Sequence, residues 1–489
     1  MRYMDIKIDN RFNKLTMLLT ISAVYVMTGC GNNSQQTMAN VDNLVESQEM
    51  SENTTAVEAL ESSTEIGTSG DDKESSTETG TSKNNTNTAT KLSKDGEEAS
   101  TLLGKSDDKK QSDEAVKKRP ERVKVKGIYV SGPIAGNSRM DELIELVDTT
   151  ELNAMVIDVK NDDGRITYQL DADTVASQIG ASINYVTDIN ALVKKCKEKN
   201  IYLIARIVAF KDPYLAQQRP EYAVKTKSGE VFYDKAGLAW VNPYNREVWD
   251  YLVEVAQQAA KVGFDEIQFD YIRFSTDLKP SKIDFGSEAE TKSKTDIITE
   301  FTEYAYDKLS ALDVYVAADV YGTIIDSKID QDIVGQNYVE MASHLDYICP
   351  MVYPSHYANG VYGIPIPDAQ PYDTIKAAMQ AATKQLSILP EENRAINRVW
   401  IQSFTASWVE GHIDYGPQQI RDQIHGAYDA GYDEWILWNA AVKYQKKSLL
   451  TDEEAQEERL RWEAAKPVKE ETTVQTETET VQQEVEDGR

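Results

Sequence analysis

The sequence contains little cysteine and little histidine. Its 489 residues include three cysteines, Cys30, Cys196 and Cys349, too few for a disulfide framework, and the last two are expected to pack in the interior. Four histidines leave little material for a histidine-rich metal site, and we expect no metal or other cofactor. Basic residues are also scarce, 52 against 81 acidic ones, giving a formal charge of −29. That charge repels phosphate backbones and argues against nucleic acid as a partner.

A long apolar run is missing from the N-terminal region. Residues 16–28 form an apolar stretch of 13 residues, too short to cross a bilayer. The stretch follows a basic segment and ends in MTGC at 27–30. This arrangement resembles the signal peptide and lipobox of bacterial lipoproteins, which implies that residues 1–30 direct export and that an acylated Cys30 anchors an extracytoplasmic protein to the cell membrane. An ordinary signal peptide with a chance cysteine is the alternative.

Two further segments lack the apolar residues that a core requires. Residues 31–120 are rich in Ser, Thr, Asn and Glu, and we expect a disordered linker there. Residues 451–489 form an acidic tail, with a helical start and then a mostly disordered run. One folded domain over residues 121–450 remains.

Within that domain, short β-branched and aromatic runs alternate with helical segments, and several runs are apolar at nearly every position. This pattern predicts an α/β fold, a (β/α)8 TIM barrel. An open doubly wound sheet is the alternative, weakened by the lack of a G-x-G-x-x-G or Walker A loop. The eight predicted strands are 125–132, 154–160, 202–210, 265–274, 314–322, 347–355, 399–404 and 434–440.

Helices are predicted between the strands. The clearest one covers 245–262, where apolar residues recur every three or four positions, with Asn245 as a plausible N-cap and Gly263 just past the end. The others are 141–150, 189–199, 300–309, 373–386 and 417–430.

A parallel barrel carries its active site at the carboxyl ends of its strands. Asp270 and Asp319 end two neighbouring strands within apolar runs, where an unpaired carboxylate is costly. Two such acids, one protonated and one ionised, are what glycoside hydrolysis requires, and we predict both as catalytic. The alternative for Asp270 is a structural bridge to Arg273.

Other polar and aromatic residues at the strand ends are predicted to bind substrate. Asp158 would bond sugar hydroxyls or hold Arg206, and Trp240, in the long segment 211–244, would stack on a sugar or fill the core, as would Tyr244. The predicted substrate-binding residues are Asp158, Lys160, Arg206, Trp240, Tyr271, Arg273, Tyr321, Tyr353, His356, Gln402, Trp438 and Asn439.

Three motifs carry a family resemblance: VKGIYVSG at 125–132, VIDVKNDDGRITY at 156–168, and GFDEIQFDYIRFS at 263–275 together with the helix before it. They resemble a bacterial family of glycosyl hydrolase-type domains over residues 125–445. The chain is also similar to barrel glycosidases with an F-D-Y-[IV]-R-[FY] motif on the fourth strand. This resemblance implies that Asp270 is a catalytic carboxylate and that the acid/base falls on Asp319, where related families usually have Glu.

The predicted function is hydrolysis of a cell-surface or extracellular polysaccharide by two carboxyl groups. A carbohydrate-binding surface lipoprotein without catalysis is the second interpretation. A metal-dependent deacetylase or hydrolase is the third, with His344, His356 and residues 161–163 as ligands. A serine hydrolase is disfavoured because no G-x-S-x-G motif is present.

Overall fold

The computed structural model describes residues 121–465. The predicted signal peptide with Cys30, the linker 31–120 and the tail from residue 466 lie outside the described residues. Between 121 and 465, no helix is long and apolar enough to cross a membrane.

Eight parallel strands close into a barrel, which confirms the predicted (β/α)8 fold. Each strand pairs with the next along the chain. The ring closes because β1 pairs with β8, as in Gly127 opposite Ile436, and because Trp400 of β7 lies opposite Met351 of β6. The strands are β1 Lys126–Val130, β2 Ala154–Lys160, β3 Tyr202–Val208, β4 Glu266–Asp270, β5 Tyr315–Tyr321, β6 Tyr347–Met351, β7 Val399–Gln402 and β8 Trp435–Trp438.

Helices surround the barrel. The longer ones are α1 Arg139–Asp148, α2 Ile189–Lys197, α3 Arg246–Val262, α4 Lys294–Leu309, α5 Pro371–Leu386, α6 Pro417–Asp429 and α7 Asp452–Ala465. Between β5 and β6 the connection contains two short helices, Lys328–Val334 and Tyr338–Ala342. Further short helices cover Gly132–Ala135, Val175–Gln178 and Pro213–Gln218.

The ends of α3 follow from the sequence. The Asn245 side chain accepts a hydrogen bond from the backbone N–H of Glu247, and Gly263 ends the helix in a left-handed conformation with φ 106°. The apolar stripe through Val248 and Leu252 is buried against the barrel. In contrast, α4 begins at Lys294, six residues before the predicted start, because Ser293 and Asp296 form a capping box.

The barrel interior is closed at the amino ends of the strands by a buried ionic group. The Arg398 guanidinium bonds Glu266 at 2.7 Å and Glu434 at 3.0 Å, and all three side chains are shielded from solvent. The attraction between the paired charges offsets the free-energy cost of removing them from water. The opposite end, formed by the carboxyl ends of the strands and called the mouth here, carries a second group of buried charges.

Candidate active site

A single arginine organises the mouth on the side of β2, β3 and β4. Arg206 of β3 lies beside Asp158 of β2 in the sheet register, and β4 places Asp270 next to Val208. The guanidinium bonds Asp270 through Nη2 at 2.6 Å and Asp158 through Nη1 at 2.8 Å, and Nη1 also lies 3.2 Å from Asp162. Three carboxyl groups therefore share one cation. Arg206 is thus an ion-pair partner of Asp270.

These contacts set the protonation of the cluster. Burial raises the pKa of Asp158 to about 6, although the Arg206 charge opposes the shift. For Asp162, burial also favours the neutral form, but the attraction of Arg206 and Lys211 prevails and holds the pKa below its usual value. The Tyr129 hydroxyl donates to Asp158 at 2.7 Å. Sequence reasoning missed Tyr129; its hydroxyl within an apolar strand, which must find a partner once buried, was the available signal.

Asp319 lies beside Asp270. Phe269 of β4 and Ala318 of β5 are paired in the sheet, so the aspartates that follow them occupy neighbouring positions on adjacent strands. Asp319 is only 1% exposed, and its Oδ1 accepts bonds from the Gln268 side chain and, at 2.6 Å, from the Trp400 indole. Burial and the Asp270 charge raise the pKa of Asp319 well above its usual value. The surroundings of Asp319 therefore favour its protonated form.

The backbone just after Asp270 is unusual. Tyr271 has a φ of 48°, in the left-handed region that non-glycine residues rarely adopt, and its N–H donates to Asp270 Oδ1 at 2.6 Å. Strain of this kind is concentrated at functional sites. The turn also places the Arg273 guanidinium over the rings of Tyr321 and Tyr271, at 4.6 and 4.8 Å.

Trp240 is not a sugar-stacking surface in this structure, so the core-filling alternative holds. The side chain is 2% exposed, lies under Arg273 at 5.1 Å, and its indole donates to Asp234 at 2.9 Å. Tyr244 is likewise buried, against Phe274 and Phe285. A buried indole N–H needs an acceptor, which explains why Asp234 is buried beside it.

Lys160 also has internal partners rather than an open face. Its ammonium is fully buried, pairs with Asp212 at 2.8 Å and donates to the backbone carbonyl of Val208 at 2.5 Å. Burial lowers the pKa of Lys160, and the nearby carboxylate opposes that shift. Asp212 also caps the short helix Pro213–Gln218 through the N–H of Leu215. Lys160 thus ties β2 to the loop after β3.

The other half of the mouth, on β6, β7 and β8, is aromatic and amide-rich. Gln402 is fully buried: its Oε1 accepts from the N–H of Ser355, and its Nε2 donates to Asp368 and to the carbonyl of Phe404, each at 3.1 Å. Asn439 donates to the carbonyl of Ser403 at 2.6 Å. Both amides therefore fix loop backbone. Tyr353 is buried, whereas His356 and Trp438 are partly exposed at the rim.

The residues of the metal-dependent interpretation do not meet. His344 precedes β6 and His356 follows it, so the whole strand separates them. The Asn161 side chain accepts from the N–H groups of Asp163 and Arg165, which makes this segment a turn. Within residues 121–465, no group of three His, Cys, Asp or Glu side chains has an arrangement that holds a metal ion.

A closed parallel barrel with acids gathered at the carboxyl ends of its strands defines the class of (β/α)8 enzyme-type domains. Residues 127–444 match the model of the family described as "Putative glycosyl hydrolase domain", and the chain belongs to that family. The resemblance drawn from the motifs is thus confirmed, and membership supports a glycoside hydrolase-like role.

Several solved structures are similar to this chain. A hypothetical protein from Ruminiclostridium thermocellum is 38% identical, with a TM-score of 0.36, over 40% of this chain and 97% of that one. The PgaB (BpsB) glycoside hydrolase domain from Bordetella bronchiseptica is 13% identical, with a TM-score of 0.48, over 65% and 94%. An alpha-L-fucosidase from Paenibacillus thiaminolyticus is 13% identical, with a TM-score of 0.47, over 70% and 50%. No curated protein matches the chain.

Proposed function

We propose that the domain hydrolyses O-glycosidic bonds of a cell-surface or extracellular polysaccharide, with Asp319 as the acid and Asp270 as the carboxylate. The observation that carries the proposal is the unequal environment of two neighbouring acids. Burial and the Asp270 charge raise the pKa of Asp319 and so favour its protonated form, while Asp270 is ion-paired with Arg206. Two neighbouring carboxyl groups in such different environments are typical of an acid and a base in catalysis.

The chemistry follows from these two states. Asp319 would give its proton to the oxygen of the leaving sugar, and Asp270 would attack the anomeric carbon or activate a water molecule. Arg206 would hold the Asp270 carboxylate in place, and the Trp400 and Gln268 bonds would orient Asp319. Membership of a glycosyl hydrolase-type family supports this reaction class.

The test measures sugar release by the full chain from a panel of bacterial and plant polysaccharides. We expect Asp270→Asn and Asp319→Asn each to lower kcat by about 100-fold or more. Asp265→Asn is the matched control, because Asp265 accepts bonds from Lys197 and from the N–H of Leu203 near the amino end of the same strand. Equal activity of wild type and both site variants would refute the assignment.

A second candidate function is carbohydrate binding without catalysis. One observation favours it: Asp270 and Asp319 are 5% and 1% exposed, and the oxygens of Asp270 already accept from Arg206 and from the Tyr271 N–H. In that case the acids would only stabilise the barrel. Glycan binding without product formation, unchanged in Asp270→Asn and Asp319→Asn, would select this function.

We also propose export and membrane anchoring through an acylated Cys30, on the basis of the sequence at 1–30. The protein expressed in a bacterium should incorporate labelled palmitate and sediment with membranes. Cys30→Ser should abolish both, whereas Cys196→Ser, which changes a buried thiol on α2, should leave both intact. Label retained in Cys30→Ser would contradict the anchor.

A further inference from the structure

The mouth is divided into two halves of different chemistry. The buried charges come from β2 to β5, around Arg206. The loops after β6 and β7 and the last residue of β8 instead supply five aromatic side chains, which we call the aromatic wall: Tyr353, His356, Phe404, Trp408 and Trp438. Phe404 and Trp408 were not among the residues predicted from the sequence.

Four rings of the wall form a chain of contacts. Phe404 and Trp408 are near-parallel, with an interplanar angle of 18° and centroids 5.9 Å apart. Phe404 meets Tyr353 at 6.2 Å, and Tyr353 meets His356 at 5.1 Å. Tyr353 is buried beneath, whereas the other four rings are partly exposed. The wall therefore offers apolar ring surface to solvent at the rim.

Trp438 connects the wall to the charged half. Its ring lies 5.7 Å from the Arg206 guanidinium and 4.4 Å from Tyr129, whose hydroxyl bonds Asp158. Trp438 is also paired with Gln402, two residues before Phe404. A molecule resting on the wall would thus have one end next to the acids.

The backbone that carries the wall is fixed before any ligand binds. The buried Gln402 side chain bonds the N–H of Ser355 and the carbonyl of Phe404, and its own backbone exchanges two bonds with the Gln423 side chain, at 2.9 and 2.8 Å. The Thr405 hydroxyl accepts from the N–H of Tyr415 across the loop. A preformed surface loses little conformational entropy on binding.

The wall carries no positive charge. Burial lowers the pKa of His356 to about 4, so its ring is neutral near pH 7. Two acidic side chains of the loop after β7, Glu410 and Asp414, are exposed. An anionic ligand would find no partner on the wall, whereas the C–H face of an uncharged sugar ring matches an aromatic surface with polar groups at its edge.

We propose that Phe404 and Trp408, together with Trp438, form a subsite that holds an uncharged pyranose ring of the substrate next to Asp270 and Asp319. This inference rests on the proposed function and names its substrate class: a glycan of neutral sugars rather than a polyuronate.

The test is calorimetric titration of the full chain carrying Asp270→Asn, which prevents turnover, with cellohexaose, chitohexaose and hexagalacturonate as probes. We expect an uncharged probe to bind. Trp408→Ala should raise the Kd of that probe by about tenfold or more, because one stacked ring is lost. Trp408→Phe should keep most of the affinity. Trp462→Ala is the matched control, because Trp462 is also partly exposed but lies on α7, bonded to Asp429.

Three results would overturn the subsite: no uncharged probe binds, Trp408→Ala leaves the Kd unchanged, or hexagalacturonate binds best. Hydrolysis by the wild-type chain is measured separately. If it persists in Trp408→Ala with unchanged KM, the subsite is wrong and the hydrolase proposal stands. If binding depends on Trp408 but the wild type releases no sugar, the subsite stands and the hydrolase proposal fails.

Discussion

Replacing Arg206 by methionine tests the electrostatics of the site. The substitution keeps much of the side-chain volume but leaves Asp158, Asp162 and Asp270 without their shared cation. Removing one partner of a buried ion pair costs about 3–5 kcal/mol, because the remaining charge is buried and unpaired. We therefore expect Arg206→Met to lower the free energy of unfolding by that amount near pH 7.

The loss should shrink as the pH falls. The Arg206 charge lowers the pKa of both Asp158 and Asp162, so both pKa values rise in its absence. A raised carboxyl pKa means that the folded state holds its proton more tightly than the unfolded chain, and stability is lost as the pH rises through the folded pKa. Below that pH the acids are neutral and need no cation. Each unit of pKa increase corresponds to about 1.4 kcal/mol of difference between the two pH limits.

The assay is urea unfolding followed by circular dichroism at about pH 7 and about pH 4.5. Arg461→Met is the control, since Arg461 forms an exposed pair with Glu457 within α7, and we expect a change of about 0.5 kcal/mol or less at both pH values. An equal loss for Arg206→Met at the two pH values, or a loss as small as the control, would refute the reasoning.

Substitutions at three further sites, two of them with a control variant, test separate features. Gly164 has a φ of 75°, and a Cβ added there would lie 1.9 Å from a carboxylate oxygen of the buried Asp212, so Gly164→Ala should destabilise the fold by several kcal/mol. Gly229 has a φ of 85° with open space around it, so Gly229→Ala should cost only about 1–2 kcal/mol. Equal losses of stability in thermal unfolding would contradict this expectation. Trp400→Phe removes a bond that lowers the pKa of Asp319, so the alkaline limb of the kcat/KM profile should move to higher pH; a limb that stays in place would exclude Asp319 as the acid. Asn245→Ala should lower the unfolding free energy by about 1 kcal/mol, and Asn245→Ser by less, with no difference between them if the cap is unimportant.

The strands could be predicted because a strand that is buried on both faces has apolar residues at nearly every position. All eight are present, and β2 has the predicted bounds. Several strands were predicted to extend beyond their observed carboxyl ends. The strand predicted over 265–274 ends at Asp270, and the one predicted over 347–355 ends at Met351. The loops at the mouth are as rich in apolar and aromatic residues as the strands, so composition does not mark where pairing ends.

Part of the site could also be predicted from the apolar strands, because charged residues within them stand out. Charged residues inside apolar strands are conspicuous, and Asp158, Arg206, Asp270 and Asp319 do meet at one end of the barrel. The choice of ion-pair partner could not be read from the sequence, because it depends on the sheet register that places Arg206 beside Asp158 and near Asp270. Sequence proximity favoured Arg273, whose guanidinium lies over the rings of Tyr271 and Tyr321.

Aromatic residues were harder to assign. A tryptophan in a long loop has the same sequence signature whether it stacks on a sugar or fills the core. The structure shows that Trp240 is buried and that its indole donates to Asp234. Conversely, Phe404 and Trp408 lie beyond the last strand residue of β7, and only the folded loop places their rings side by side.

The proposed reaction requires Asp319 to be a protonated acid beside Asp270. Infrared difference spectra of wild type minus Asp319→Asn measure this directly through the carbonyl band of a protonated carboxyl group. We predict that the band is present near pH 7, and that in an Asp270→Asn background it titrates at lower pH, because the Asp270 charge helps to raise the pKa of Asp319. Absence of the band near pH 7, or a titration unaffected by Asp270→Asn, would contradict the account.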